Sequence, residues 1–126
     1  MPVKYVLAER HNPRDLSAPR RFYAVAKSIG EVTLKQMSKD IATRSTVNSS
    51  DTLAVLDALN QQMVKELEAG HLVRMGDFGS FQLTLSSESS ETAEMFTGEL
   101  IKKSRIFFRP GPDLKEMLAT VTYTKA

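Results

Sequence analysis

The side chains best suited to chemistry in this chain are cations. Lys102, Lys103, Arg105 and Arg109 are strung along the stretch LIKKSRIFFRPGP, with Ile106, Phe107 and Phe108 between them. Ammonium and guanidinium groups so arranged bind phosphate, Lys as a point charge and Arg as a planar fork. A second basic set lies in residues 1–32, where Lys4, Arg10, Arg14, Arg20, Arg21 and Lys27 outnumber Glu9, Asp15 and Glu31. The plain alternative for both sets is a solvated charged surface. Other chemistries find no constellation. The chain has no Cys, which excludes disulfides, thiolate metal sites and a Cys nucleophile. His11 and His71 are too few for a metal cluster and read as surface or strand-end residues. No nucleophile elbow, phosphate loop or paired-histidine helix is present. Gly76-Asp77-Phe78-Gly79 matches a kinase metal-binding tripeptide only superficially, and a hairpin turn accounts for it better. The chain is therefore expected not to be an enzyme, and to need no cofactor, metal ion or small-molecule substrate.

The elements that must hold these bases follow from periodicity. Phe81, Leu83 and Leu85 alternate with polar residues, the period of a strand with one buried face. Leu72 to Met75 before them and Ile106 to Phe108 after them are strand-like as well. Gly76, Asp77 and Gly79 mark a tight turn. The run from Ser86 to Glu99 has too few apolar residues for a core and reads as a hairpin arm or loop. It carries Glu88, Glu91, Glu94 and Glu99 and no base. Net charge is only +2, so the distribution of charge matters more than its sum.

Ahead of this sheet, Thr33 suits the cap of a helix to about Thr43 with Leu34, Met37 and Ile41 on one face. Ser49 or Ser50 suits the cap of a longer helix that Gly70 ends, with Asp51 near its positive end. Leu53, Leu56, Met63 and Leu67 line one face, and Val55, Leu59 and Val64 widen it beyond what one short helix covers. Packing on the chain's own sheet and sharing a core with a second copy both fit that stripe. Pro112 suits the first turn of a C-terminal helix bearing Leu114, Met117 and Leu118, and Val121 to Tyr123 reads as a terminal strand. Val3 to Ala8 and Phe22 to Ala26 are too apolar for a disordered tail and read as strands that add to the sheet. Residues 1–31 thus form an N-terminal strand extension packed on a domain of residues 32–126, whose arm spans about 86–103. No apolar run reaches membrane-span length and no signal-peptide core precedes it, so a cytoplasmic protein is expected.

At these residues the sequence resembles the HU and integration host factor family of bacterial histone-like DNA-binding proteins. Asp77-Phe78-Gly79-Ser80-Phe81 matches G-F-G-[ST]-F after its first position, where Asp77 replaces the Gly. Thr97-Gly98-Glu99 with Ile101 matches T-G-x-x-I, and Phe108-Arg109-Pro110-Gly111 with Leu114-Lys115 matches F-x-[PA]-G-x-x-L-K. Order and approximate spacing agree over about Val32 to Leu118. The N-terminal extension resembles that of a longer HU-like subgroup. Because typical HU chains end near the C-terminal helix, the resemblance implies that the terminal strand can pair with this extension.

The resemblance implies an α+β fold: an intertwined homodimer with a helical hairpin, an antiparallel sheet with a protruding β-arm, a short C-terminal helix and extra N-terminal strands. It implies a nucleoid-associated architectural protein that binds, and bends, duplex DNA with little base specificity. Family arms enter the minor groove and wedge apolar tips between base steps while basic residues hold phosphates. The expected DNA contacts are Arg74, Gly79, Ser80, Lys102, Lys103, Arg105 and Arg109, assisted by Arg20 and Arg21, with backbone amides near Gly79 and Ser80 approaching a phosphate. The family's arm is arginine-rich with an Arg-Asn-Pro tip; here Ala93-Glu94-Met95-Phe96 stands in its place, leaving Met95 and Phe96 as the wedges. The return from Gly98 to Phe108 is also short. Glutamates near phosphates release no counterions, which lowers the expected affinity. The alternative is an HU-fold structural or protein-interaction module that has lost DNA wrapping.

Overall fold

The computed structural model describes residues 1–126 and is mixed α+β, with three helices and two three-stranded sheets. In chain order these are β1 (Val3–Arg10), β2 (Arg21–Ala26), α1 (Leu34–Ala42), α2 (Ser49–Glu68), β3 (Val73–Arg74), β4 (Gly79–Ser87), β5 (Ile101–Pro110), α3 (Pro112–Thr120) and β6 (Tyr123–Lys125). Two compact units result, one of residues 34–116 and one of residues 1–33 with 117–126.

In the larger unit, α2 is capped by Asn48 rather than by Ser49 or Ser50. The Asn48 side chain accepts a hydrogen bond from the Asp51 amide at 2.8 Å, satisfying a donor that the helix itself leaves free. An Asn caps as well as a Ser, so residue type alone did not decide between neighbours. At the other end the Gly70 amide donates to the Leu67 carbonyl and His71 to Glu66, with Gly70 at φ +89°, a left-handed stop that favours glycine. α1 packs against α2, and the buried side chains there are Ser38 and Thr52, each donating back to a carbonyl of its own helix or cap. No hydrophobic side chain is fully buried. The apolar residues of α2 run from Val55 to Val64, about 180° around a helix of 3.6 residues per turn. The middle of that arc (Leu56, Met63, Leu67) is half-buried, whereas its shoulders Val55 and Val64 are 64% and 60% exposed.

β3, β4 and β5 form an antiparallel sheet in that order. The β3–β4 turn is closed by Met75 and Gly79 (N···O 2.8 Å) around Gly76 at φ +55°. Phe78, Phe81 and Phe108 cluster with centroids 4.7–6.3 Å apart, an apolar anchor at the base of the hairpin. Two glycines make this base possible. A Cβ on Gly79 would lie 2.5 Å from the Arg109 carbonyl oxygen, and one on Gly111 would collide with the Asp77 backbone. Because backbone atoms must move to admit that methyl, Gly111→Ala is expected to destabilise the protein by about 1–3 kcal/mol. A fall in the urea midpoint at unchanged slope is the measurement.

The smaller unit corrects an expectation. β1 and β2 pair with each other, Arg10 opposite Arg21 through Tyr5 opposite Ala26, and β6 joins β1 in parallel. The N-terminal strands therefore form a second sheet, β2-β1-β6, and add nothing to β3-β4-β5. The Val3 amide donates to Thr122 and the Ala126 amide to Tyr5, so the terminal strand lies at Tyr123–Lys125, two residues beyond the expected start.

Candidate nucleic-acid interface

The geometry of β4 and β5 sorts the bases. Paired residues of an antiparallel ladder project to one face, and successive residues alternate between faces. Ser80, Gln82, Thr84 and Ser86 lie opposite Arg109, Phe107, Arg105 and Lys103, and Arg74 of β3 lies on the other side of Ser80. Arg74, Ser80 and Arg109 thus form a row across three strands, with Arg105 and Lys103 further along the same face. At about 3.4 Å per residue, Arg109 and Lys103 stand roughly 20 Å apart. The opposite face carries Phe81, Leu83, Leu85, Ile106 and Phe108. No carboxylate sits among the residues of the basic face, and none of its four bases is ion-paired.

A cleft of about 250 Å³ opens at the Arg74 end, lined by Arg74, Ser80, Gln82, Phe107, Arg109 and Lys115 among others. Lys115, on the first turns of α3, was missed as a candidate although it closes the motif that carries Arg109. Its signal was there: the Leu114-Lys115 pair follows Pro110-Gly111 at a fixed distance, and the helix that starts at Pro112 turns Lys115 to the cleft. Gly79 and Ser80 line the same cleft. Phe107, 49% exposed, puts an aromatic ring among the cations.

The remaining candidates are elsewhere. Lys102 falls at the bulge where the register jumps from Ser86–Lys103 to Ser87–Ile101, and so has no residue opposite. Its Nζ donates to the Glu99 carbonyl at 3.2 Å and stands 4.0 Å from the Glu88 carboxylate, which ties it to the acidic loop 88–100. Strand pairing stops at Ser87 and Ile101, which corrects the expected β-arm of about 86–103: it is paired only at its ends. Most of it, residues 88–100, is a loop closed by a short 3-10 turn at Gly98–Leu100, because its polar, acidic residues offer no apolar face for a paired ribbon. Within the loop, Met95 and Phe96 are 62% and 40% exposed, and the Met95 and Phe96 amides donate to Thr92 and Ala93 in a turn. Arg20 and Arg21 belong to the smaller unit. Arg20 is 3.7 Å from the Glu9 carboxylate, whereas Arg21 has no acidic partner.

The two histidines are separate. His71 Nδ1 meets Glu66 Oε2 at 2.7 Å, and that hydrogen bond holds the Glu66 carboxyl below its usual pKa. Nowhere do three or more His, Asp or Glu side chains gather as a metal site would require. No helix is long and apolar enough to cross a membrane.

The fold is similar to the crystal structure of a candidate bacterial DNA-binding protein from Bacteroides vulgatus ATCC 8482, with a TM-score of 0.67 at 9% identity. The match covers 98% of this chain and 47% of that one, so this chain spans about half the length of the structure it resembles. Such low identity speaks for fold alone. No curated protein matches the sequence. Residues 1–125, nearly the whole chain, match the family of HU domains fused to a wHTH, Ig or glycine-rich motif, and the chain belongs to that family, HU-HIG.

Proposed function

We propose that the chain is a dimeric, DNA-binding architectural protein that holds duplex phosphates on the β3–β4–β5 face with little base specificity. The observation that carries this is the acid-free alignment of Arg74, Arg109, Arg105 and Lys103 on one sheet face. The roughly 20 Å they span is about six base-pair steps at 3.4 Å each, long enough for several phosphates but without the close-set Asn, Gln or Arg pairs that read base edges. Lys115 extends the row at the cleft, and Gly79 and Ser80 offer a close approach beside it. Met95 and Phe96, exposed at the hairpin tip, have the apolar character of minor-groove wedges that bend a duplex. Lys102 contributes less than its neighbours because Glu88 and Glu99 already engage it. Arg21 is available to assist, and Arg20 assists only where Glu9 releases it.

Dimerisation rests on exposed area. A folded 14.0 kDa chain exposes about 6,700 Å², and two separately folded pieces of these lengths about 8,000 Å². This chain exposes 10762 Å² and fully buries no hydrophobic side chain. A second copy covering the shoulders of α2 removes the excess, in the size range of obligate homodimer interfaces.

A salt series of duplex binding tests the reading. Two faces of four bases each predict a slope of log affinity against log salt of about −7, equal for unrelated sequences. The acidic loop with Glu88, Glu91, Glu94 and Glu99 favours a second reading, an HU-fold structural or protein-interaction module. Absence of duplex binding even at low salt transfers the assignment to that module.

A further inference from the structure

The β1–β2 connection holds a second, unassigned cleft of about 640 Å³, lined by Arg10, His11, Asn12, Arg21 and Tyr23 together with prolines and an alanine. Arg10 and Arg21 are directly opposite each other in the antiparallel ladder, an arrangement that is unfavourable for like charges. Neither has an acidic partner. The acids nearest in sequence are occupied elsewhere. Glu9 pairs with Arg20, and the Asp15 carboxylate accepts from the Ser17 amide and hydroxyl, which lowers its pKa. The Arg10 guanidinium lies 5.6 Å from the centre of the Tyr23 ring, which holds one cation in place. Asn12 Oδ1 accepts from the Arg14 amide, and that fixes the side chain while its amide donors stay available. The pair Tyr23–Ala8 lies on the same face as Arg10–Arg21, and the small Ala8 leaves the ring 48% exposed.

Two unpaired guanidiniums face to face, donors beside them and no carboxylate in the lining describe a site that lacks its anion. We propose that this cleft is a phosphate-binding site, in which Arg10 and Arg21 clamp one phosphate group, His11 and Asn12 donate to its remaining oxygens, and Tyr23 positions Arg10. The proposal requires only a phosphate and does not rest on the role given to the β3–β4–β5 face. A duplex phosphodiester and a free phosphate supply the same chemistry.

The test uses the full chain, its Arg10→Gln/Arg21→Gln variant and its Lys103→Ala/Arg105→Ala variant. Inorganic phosphate, adenosine monophosphate and a short duplex are titrated at constant ionic strength, with amide and arginine side-chain NMR shifts around Tyr23 as readout. We expect shifts at Arg10, Arg21 and Tyr23 in the wild type and in Lys103→Ala/Arg105→Ala. Affinity should fall roughly tenfold or more in Arg10→Gln/Arg21→Gln, the loss expected for charge-assisted hydrogen bonds. Response to all three probes assigns a general phosphate site, and response to duplex alone assigns a phosphodiester site. Thermal melting gives a second readout: phosphate should raise Tm of the wild type and of Lys103→Ala/Arg105→Ala but not of the Gln variant, and without phosphate the Gln variant should melt higher because a repulsion is gone. No shift at these residues with any probe, or shifts unchanged in the Gln variant, overturns the site, whatever becomes of duplex binding at the other face.

Discussion

Replacing Lys103 and Arg105 together by alanine lowers affinity for every duplex by roughly sixty-fold at 0.1 M salt. The figure follows from counterion release: each phosphate contact contributes about 0.9 to the salt exponent, or roughly eightfold at that concentration. In a dimer whose two faces both touch DNA the loss is larger still, and the salt plot flattens by about one unit for each contact removed. Two features make this pair the informative one. Both project to the acid-free face, opposite Ser86 and Thr84, and neither is neutralised by an ion pair. Lys102 provides the internal contrast, since it is next in sequence but sits at the bulge against Glu88. Lys102→Ala is expected to cost far less, and Glu88→Gln to strengthen binding by freeing Lys102 and removing a charge repelled by phosphate. A loss from Lys102→Ala as large as that from Lys103→Ala or Arg105→Ala alone would show that net charge, not the sheet face, determines affinity. Fluorescence anisotropy on two unrelated duplexes at several salt concentrations distinguishes the outcomes.

The contrast between Lys102 and its neighbours shows how far the sequence could be read. The alternation of Phe81, Leu83 and Leu85 carries the strand and, through pairing, the face on which Lys103, Arg105 and Arg109 lie. Turn glycines, the stop at Gly70 and Pro112 at the start of α3 were legible because each acts on its own backbone. Non-local facts were not. A bulge depends on how many residues each strand spends, so the position of Lys102 appears only once Ser86–Lys103 and Ser87–Ile101 are both known. That the terminal strand pairs with the N-terminal extension was legible from the resemblance, but the parallel sense and the register, Val3 with Tyr123, leave no local trace in either segment. Likewise Asn48 and Ser49 are equivalent caps until the Asp51 amide selects one.

The largest effect on the protein itself is expected from charges placed on the shoulders of α2. Val55 and Val64 are mostly exposed in the single chain, so in a monomer Val55→Asp/Val64→Asp would change stability by only about 1 kcal/mol. In a dimer whose partner covers both shoulders, each substitution buries an unpaired carboxylate at a cost of several kcal/mol. We therefore expect the wild type to sediment at twice the 14.0 kDa chain mass, and the variant to dissociate, unfold or both at micromolar concentration. Because the chain buries so little apolar area alone, dissociation and loss of structure should coincide, with the melting temperature depending on protein concentration. Ala54→Asp supplies the control, since position 54 is exposed and faces away from the middle of the apolar arc. A folded wild-type monomer, or a Val55→Asp/Val64→Asp variant as stable as Ala54→Asp, would show that the shoulders are ordinary surface. Duplex binding would then have to be explained by a single basic face, with a salt slope near −3.6 instead of −7.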